Sequence, residues 1–313
     1  MENIKTAVLN TTDEICALVD RLVLLHQQPN LPSPIMYIDL EGVALSRSGT
    51  LSIFTLLTDR GTPNREVCLI DVHTLGAQAF EAAGENGKTL KDILQDENIP
   101  KVFFDVRNDS DALFAHFGVA LKGVEDVPLM ESATRETTVS RKFVTSLSKC
   151  IEKNVVMSPS AKASWQLAKT RGERMFRREL GGSYEVFNQR PIPKDIISYC
   201  AGDVQYLPEL RQRFWGSSHK WLDLVSEGSK QRVAKSQQPD YQPHGRDRAI
   251  APWSKEQHTL LDQRHYVPPI PSYFNDYLDD PFDYDQDGYW YDDSPTSCRD
   301  IISDCDMHLY YSD

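Results

Sequence analysis

No pair of the six cysteines forms a CxxC motif; Cys16, Cys68, Cys150, Cys200, Cys298 and Cys305 are scattered along 313 residues. That spacing gives neither a compact zinc site nor a disulfide framework, so the cysteines read as reduced thiols of an intracellular protein. No basic-then-apolar stretch opens the chain: "MENIKTAVLN" lacks the pattern of a secretion signal. No apolar run approaches the roughly 18 residues that cross a bilayer. The expectation is a soluble chain in the cytoplasm or nucleus, with no membrane partner. Internal repeats are absent.

Basic charge is scarce at one end. Residues 226–313 hold 17 acids against 8 bases, whereas residues 1–225 hold 29 against 26. The net charge of -12 is therefore mostly a C-terminal property. The body is near neutral and does not repel a polyanion.

What is present is a sequence of short periodic segments. "TAVLN" reads as a strand and "TTDEICALVDRLVLL" as a helix, with Thr11 and Glu14 spaced as a capping box. "IMYIDLEG", "LSIFTLLT" and "EVCLIDV" read as three strands joined by the turn stretches "SRSG" and "DRGTPN". Their short connections imply an antiparallel meander. "KTLKDILQDENI" reads as a helix, "KVFFDV" as a strand, and "SDALFAHFGV" as a helix ending near Gly118. Helices dominate from there, the last being one continuous helix over residues 193–215. The fold class is α/β, a mixed sheet flanked by helices. After about residue 225 the period fails. Residues 226–313 read as a polar and then acidic, aromatic tail, largely irregular, which solubilises the chain or binds a protein partner.

Within "YIDLEG", Asp39 and Glu41 project from the same strand face, because side chains alternate along a strand. Two buried like charges repel unless a cation lies between them. Leu40 points the other way and reads as core. Asp109 stands where a strand has ended and a helix begins, with Asp105 and Asp111 close by; Asp109 or Ser110 could equally serve as a helix N-cap. Tyr199 and Asp203 are four apart on a periodic helix and share a face.

Taken in order, a strand D-x-E, an acid at a strand–helix junction and a helical Y-x-x-x-D resemble the DEDD superfamily of 3′–5′ exonucleases. The tyrosine subtype is the one matched, as in ribonuclease D. "KVFFDVRNDSDALFAHFGV", "RKFVTSLSKCIEK" and "FNQRPIPKDIISYCAGDVQYLPEL" resemble further family segments, so the likeness covers roughly residues 1–215 of a domain spanning 1–225. "LEG", "FFDVRNDSDAL" and "GGSYEVF" look most like the exonuclease-domain proteins of eukaryotes, including a fungal group. One departure is Phe104, where ribonuclease D usually has His; that His is not a metal ligand in the family.

The resemblance implies a ribonuclease H-like sheet and hydrolysis of phosphodiester bonds from the 3′ end of single-stranded RNA or DNA. It implies Asp39, Glu41, Asp109 and Asp203 as ligands of two divalent ions, Mg²⁺ or Mn²⁺, with Asp105 and Asp111 as alternatives to Asp109. It also implies Tyr199 as the group orienting the attacking water, through a phenol that need not ionise. Among the many bases of "KASWQLAKTRGERMFRR", Arg171, Arg174, Arg177 and Arg178, with Arg190 beyond, are candidates for phosphate contact; a solvated helix face explains them as well. No RNP, KH or zinc-knuckle pattern supports sequence-specific reading. The alternative function is a catalytically weak member of the fold, acting as a nucleic-acid-binding or scaffold module.

Overall fold

A computed structural model describes residues 4–28, 35–61, 65–215 and 221–265. Six strands, β1 (Lys5–Leu9), β2 (Met36–Glu41), β3 (Ile53–Thr58), β4 (Glu66–Ile70), β5 (Lys101–Phe103) and β6 (Val124–Asp126), form one sheet in the order β1-β4-β3-β2-β5-β6. β2, β3 and β4 are the expected antiparallel meander, while β1, β5 and β6 pair in parallel at the two sides. The short edge strand β6 is absent from the sequence reading, since three residues carry no period.

The sheet separates two cores. On one face Ile38, Leu40, Phe54, Leu56 and Ile70 pack with Ile15, Leu18, Val19 and Leu22 of α1 (Thr12–His26). The same core takes in residues of α2 (Val72–Leu75), α3 (Gln78–Glu81) and α4 (Leu90–Gln95). Helix α1 starts where it does because Thr11 accepts from the Glu14 amide and Glu14 reaches back to the Thr11 amide, the reciprocal capping box.

On the other face Tyr37, Ile53, Leu57, Val67 and Leu69 meet the later helices. These are α6 (Val127–Thr134), α7 (Leu147–Asn154), α8 (Pro159–Phe176), α9 (Lys194–Val204) and α10 (Leu207–Trp215), whereas α5 (Arg107–Phe117) puts Leu113 and Phe117 into the first core. Helix α5 stops at Gly118, whose φ of 60° is the left-handed cap that favours glycine. The single helix expected over 193–215 is two, broken between Val204 and Leu207. Pro208 is the reason: it lacks an amide proton and its ring crowds the carbonyl four residues earlier.

The second correction concerns residues 226–265. They were expected to be an irregular tail, yet α11 (Leu222–Ser236) packs against α5, α6 and β6. Its buried face is Val225, Gly228, Ser229, Arg232, Val233 and Ser236. A face on which four of six residues are glycine, serine or arginine has no hydrophobic period, so it reads as solvent-facing. Beyond it Tyr241, Ala249, Ala251 and Trp253 are buried, Phe143 bridges Ile250, and α12 (Lys255–His265) buries Leu261. The Trp253 indole donates to Ser132 Oγ at 2.9 Å. The acidic, aromatic stretch further on lies outside the described residues.

Candidate active site

Alternation along β2 decides the first two side chains. Ile38 and Leu40 enter the core on the α1 side, as expected for Leu40. Tyr37, Asp39 and Glu41 therefore face the side crossed by α9, which contacts both β2 and β3. Helix α9 brings Tyr199 and Asp203 down on that face. One carboxylate oxygen from each of Asp39, Glu41 and Asp203 lies within 4.8 Å of the other two. Among the described residues, Asp39 Oδ2 is buried without a hydrogen-bond partner.

Such an arrangement is electrostatically unfavourable by itself. Burial, then the neighbouring Asp203 charge, pushes the Asp39 carboxyl up to about 8. Burial and the charges of Asp39 and Asp203 push Glu41 up as well. The Tyr199 phenol is raised by burial and by Asp203, Glu41 and Asp39, so it stays protonated at neutral pH.

Asp109 lies in the first turn of α5. It is not a cap: the N-cap is Val106, which makes no side-chain capping bond. Asp109 stands outside the three-carboxylate group, although burial and then Asp39, Asp105 and Asp126 push its carboxyl up. The two alternatives are already engaged. Asp105 is gripped by Arg107 at 2.6 and 2.5 Å, with Arg232 at 3.6 Å. Burial alone would raise the Asp105 carboxyl; the guanidiniums of Arg107, Arg232 and Arg248 outweigh it and hold the group ionised. Asp111 accepts the Arg47 amide at 2.8 Å and the Arg47 Nε at 2.6 Å. Asp109 has no ion-pair or hydrogen-bond partner among the described residues, which leaves it as the unneutralised acid of the three.

Asp105 sits at φ 65° and its amide donates to Asp126 Oδ1 at 2.7 Å. Asp126 in turn pairs with Arg232 at 2.7 Å. Asn108, beside Asp109, accepts from the Tyr241 hydroxyl and from Arg248 at 3.1 and 2.5 Å. The segment after residue 225 thus braces the turn that carries Asp109, a contribution that sequence reasoning missed entirely.

Helix α8 presents a stripe to α9 at helical spacing. The Trp165 indole donates to Gly202 O at 3.2 Å. Lys169 Nζ lies 3.1 Å from Asp203 Oδ1 and 5.0 Å from the Tyr199 ring centroid. Phe176 meets the Tyr199 ring edge-on at 5.2 Å. Lys169 stands among the bases of "KASWQLAKTRGERMFRR", and the Trp165-Lys169-Gly172-Phe176 spacing is the signal in the sequence that it turns inward.

The candidate phosphate contacts divide. Arg171, Arg174 and Arg178 are exposed. Arg177 pairs with Glu173 at 3.2 Å. Arg190 is a correction, because its donors are already committed within the protein. Its Nε and Nη2 bind Asp71 at 2.6 and 2.5 Å, and its Nη1 binds Phe187 O and Gln189 O, each at 2.8 Å. Nη2 also reaches Ser52 O at 3.2 Å. It fastens the approach to α9 onto β3 and the start of α2.

A mixed sheet with a central meander, acids on its middle strand and a helix laid across them is a ribonuclease H-like fold. A family model described as 3′–5′ exonuclease matches residues 20–217, and the chain belongs to that family. It is 23% identical over 261 residues to the piRNA biogenesis protein EXD1 of Mus musculus, covering 76% of this chain and 42% of that protein. The chain therefore spans less than half the length of that relative. The crystal structure of Trypanosoma brucei RNase D in complex with RNA U12 superimposes with a TM-score of 0.61 at 21% identity, covering 84% of this chain and 79% of that one. The GMP complex of the same enzyme gives 0.62 at 20% identity, covering 84% and 73%. At these identities the likeness to the solved structures is one of fold.

Proposed function

We propose that this protein shortens single-stranded nucleic acid from its 3′ end, using divalent cations held by Asp39, Glu41, Asp109 and Asp203. The observation that carries the reading is the convergence of three carboxylates, Asp203 buried and Asp39 and Glu41 half-buried, together with Asp39 Oδ2, a buried oxygen with no donor among the described residues. Carboxylate oxygens are hard ligands, and an all-carboxylate set suits Mg²⁺ or Mn²⁺. Four carboxylates match the charge of two such ions. When bound, these ions neutralise the phosphate charge and make water a nucleophile at neutral pH.

The residues of the chain have separate tasks in this scheme. Asp39 and Glu41, fixed by the β2 pleat, hold one side of the site, and Asp203 on α9 closes it from above. Asp109 completes it from α5, steadied by the brace behind it. Tyr199 keeps its proton and orients the attacking water through its hydroxyl. Arg171, Arg174 and Arg178 on the exposed flank of α8 and just beyond guide the phosphate backbone, in either RNA or DNA.

The test is an assay on 3′-labelled and 5′-labelled single-stranded RNA and DNA with Mg²⁺ or Mn²⁺, repeated with chelator and with Asp39→Ala. Stepwise shortening that chelator and the substitution both abolish supports the reading. Shortening that survives both would sink it. Retained binding with no shortening would favour a nucleic-acid-binding module without catalysis.

A further inference from the structure

Among the described residues, the carboxylates of Asp39, Glu41 and Asp203 have one ion-pair partner in the protein, Lys169. Its ammonium is largely buried, 3.1 Å from Asp203 Oδ1 and above the Tyr199 ring at 5.0 Å. Nothing about that position is left to a flexible stem. Four residues before it Trp165 is hydrogen-bonded to Gly202 O, and three residues after it Gly172 lies against the Tyr199 side chain. Phe176 packs on Tyr199 from further along the same stripe. The whole face of α8 is registered against α9 so that a lysine meets the acid that a cation would bind.

We infer that Lys169 is an internal counter-ion that competes with divalent cations for Asp203 and sets the concentration at which the site loads. The physical ground is simple. An ammonium at 3.1 Å occupies an oxygen that a divalent ion also needs, and two cations at one carboxylate repel. In the ion-free protein Lys169 offsets part of the repulsion among the acids, so the fold tolerates an empty site. A divalent ion must drive it off Asp203, and the displaced ammonium is then a positive charge beside the reacting phosphate. A neutral side chain at 169 removes the competitor and tightens ion binding; arginine keeps the charge and keeps binding weak.

This inference rests on the metal-site reading above, and the experiment separates the two. Mn²⁺ binding is titrated calorimetrically for wild type, Lys169→Met, Lys169→Arg and Asp39→Ala, without nucleic acid, and thermal midpoints are taken in chelator. The expected result is Mn²⁺ binding on the order of tenfold tighter in Lys169→Met than in wild type, with Lys169→Arg close to wild type. Lys169→Met should also show the lower midpoint in chelator and the larger gain on adding Mn²⁺. Binding that Asp39→Ala abolishes but Lys169→Met leaves equal or weaker, in a folded protein, overturns the inference alone. Binding that Asp39→Ala leaves unchanged, or no binding by either wild type or Lys169→Met, overturns the metal-site reading and takes this inference with it.

Discussion

Gly172 and Tyr199 are in direct contact: a methyl group at position 172 would fall 2.4 Å from the Tyr199 Cβ and 2.7 Å from its ring. The contact joins the helix that carries Lys169 to the helix that carries Tyr199 and Asp203. Gly172→Ala must push α8 and α9 apart. Overpacking of this kind costs about 1–3 kcal/mol, read from urea unfolding. The nuclease rate should fall further than stability implies, by about a hundredfold, because an ångström of misplacement in a site costs that much. A rate unchanged within twofold would show that the α8–α9 distance does not position the site.

Asp39→Asn should separate stability from activity. Shortening of single strands should drop by at least about a thousandfold, several kcal/mol of transition-state stabilisation. In chelator the variant should melt at a higher temperature than wild type. Folding, through burial and then the Asp203 charge, pushes the Asp39 carboxyl from the ordinary 3.8 up to about 8. The folded state therefore holds the extra proton between those values, and wild type loses stability as pH rises across that window. The advantage of Asp39→Asn should thus be larger at pH 8 than at pH 5. An advantage that shrinks with pH would contradict the electrostatic account of the site.

Arg232 holds two acids behind the Asp109 turn, Asp126 at 2.7 Å and Asp105 at 3.6 Å. Arg232→Met strands Asp126, which is fully buried, and should cost about 3–5 kcal/mol in chemical denaturation. Ending the chain before Leu222 removes the same cation and should be at least as damaging. A stable, active protein lacking α11 would show that the brace is dispensable.

Lys101 is fully buried and donates to Ile93 O at 3.1 Å and Asp96 O at 2.6 Å. Burial pulls its ammonium down to about 7, against the weaker pull of Asp96. The unfolded chain keeps the proton up to about 10.5, so the folded state is penalised most below pH 7, and this group makes stability rise from pH 7 towards 10.5. Lys101→Met should flatten that rise in urea unfolding at pH 6.5, 8 and 9. An unchanged slope would place the titration elsewhere.

Most of the architecture was legible because it depends on local pattern. The meander of β2, β3 and β4 follows from short turns between apolar runs, and the Thr11–Glu14 cap from two residue types three apart. The common face of Asp39 and Glu41 follows from a period of two. The common face of Tyr199 and Asp203 follows from a period near four.

What the sequence by itself determined, then, is which acids lie on which element faces, since that is settled by backbone geometry within a few residues. Tertiary structure alone decided which charges are neutralised. Asp105 and Asp111 are taken by Arg107, Arg232 and Arg47, Arg190 is taken by Asp71, and Lys169 turns inward to Asp203. The packing of α11 against α5, α6 and β6 was decided the same way. The buried face of α11 is largely polar and satisfied by distant partners, 106 positions away for Arg232 with Asp126 and 189 for Ser236 O with Arg47, and no local period can register bonds of that span.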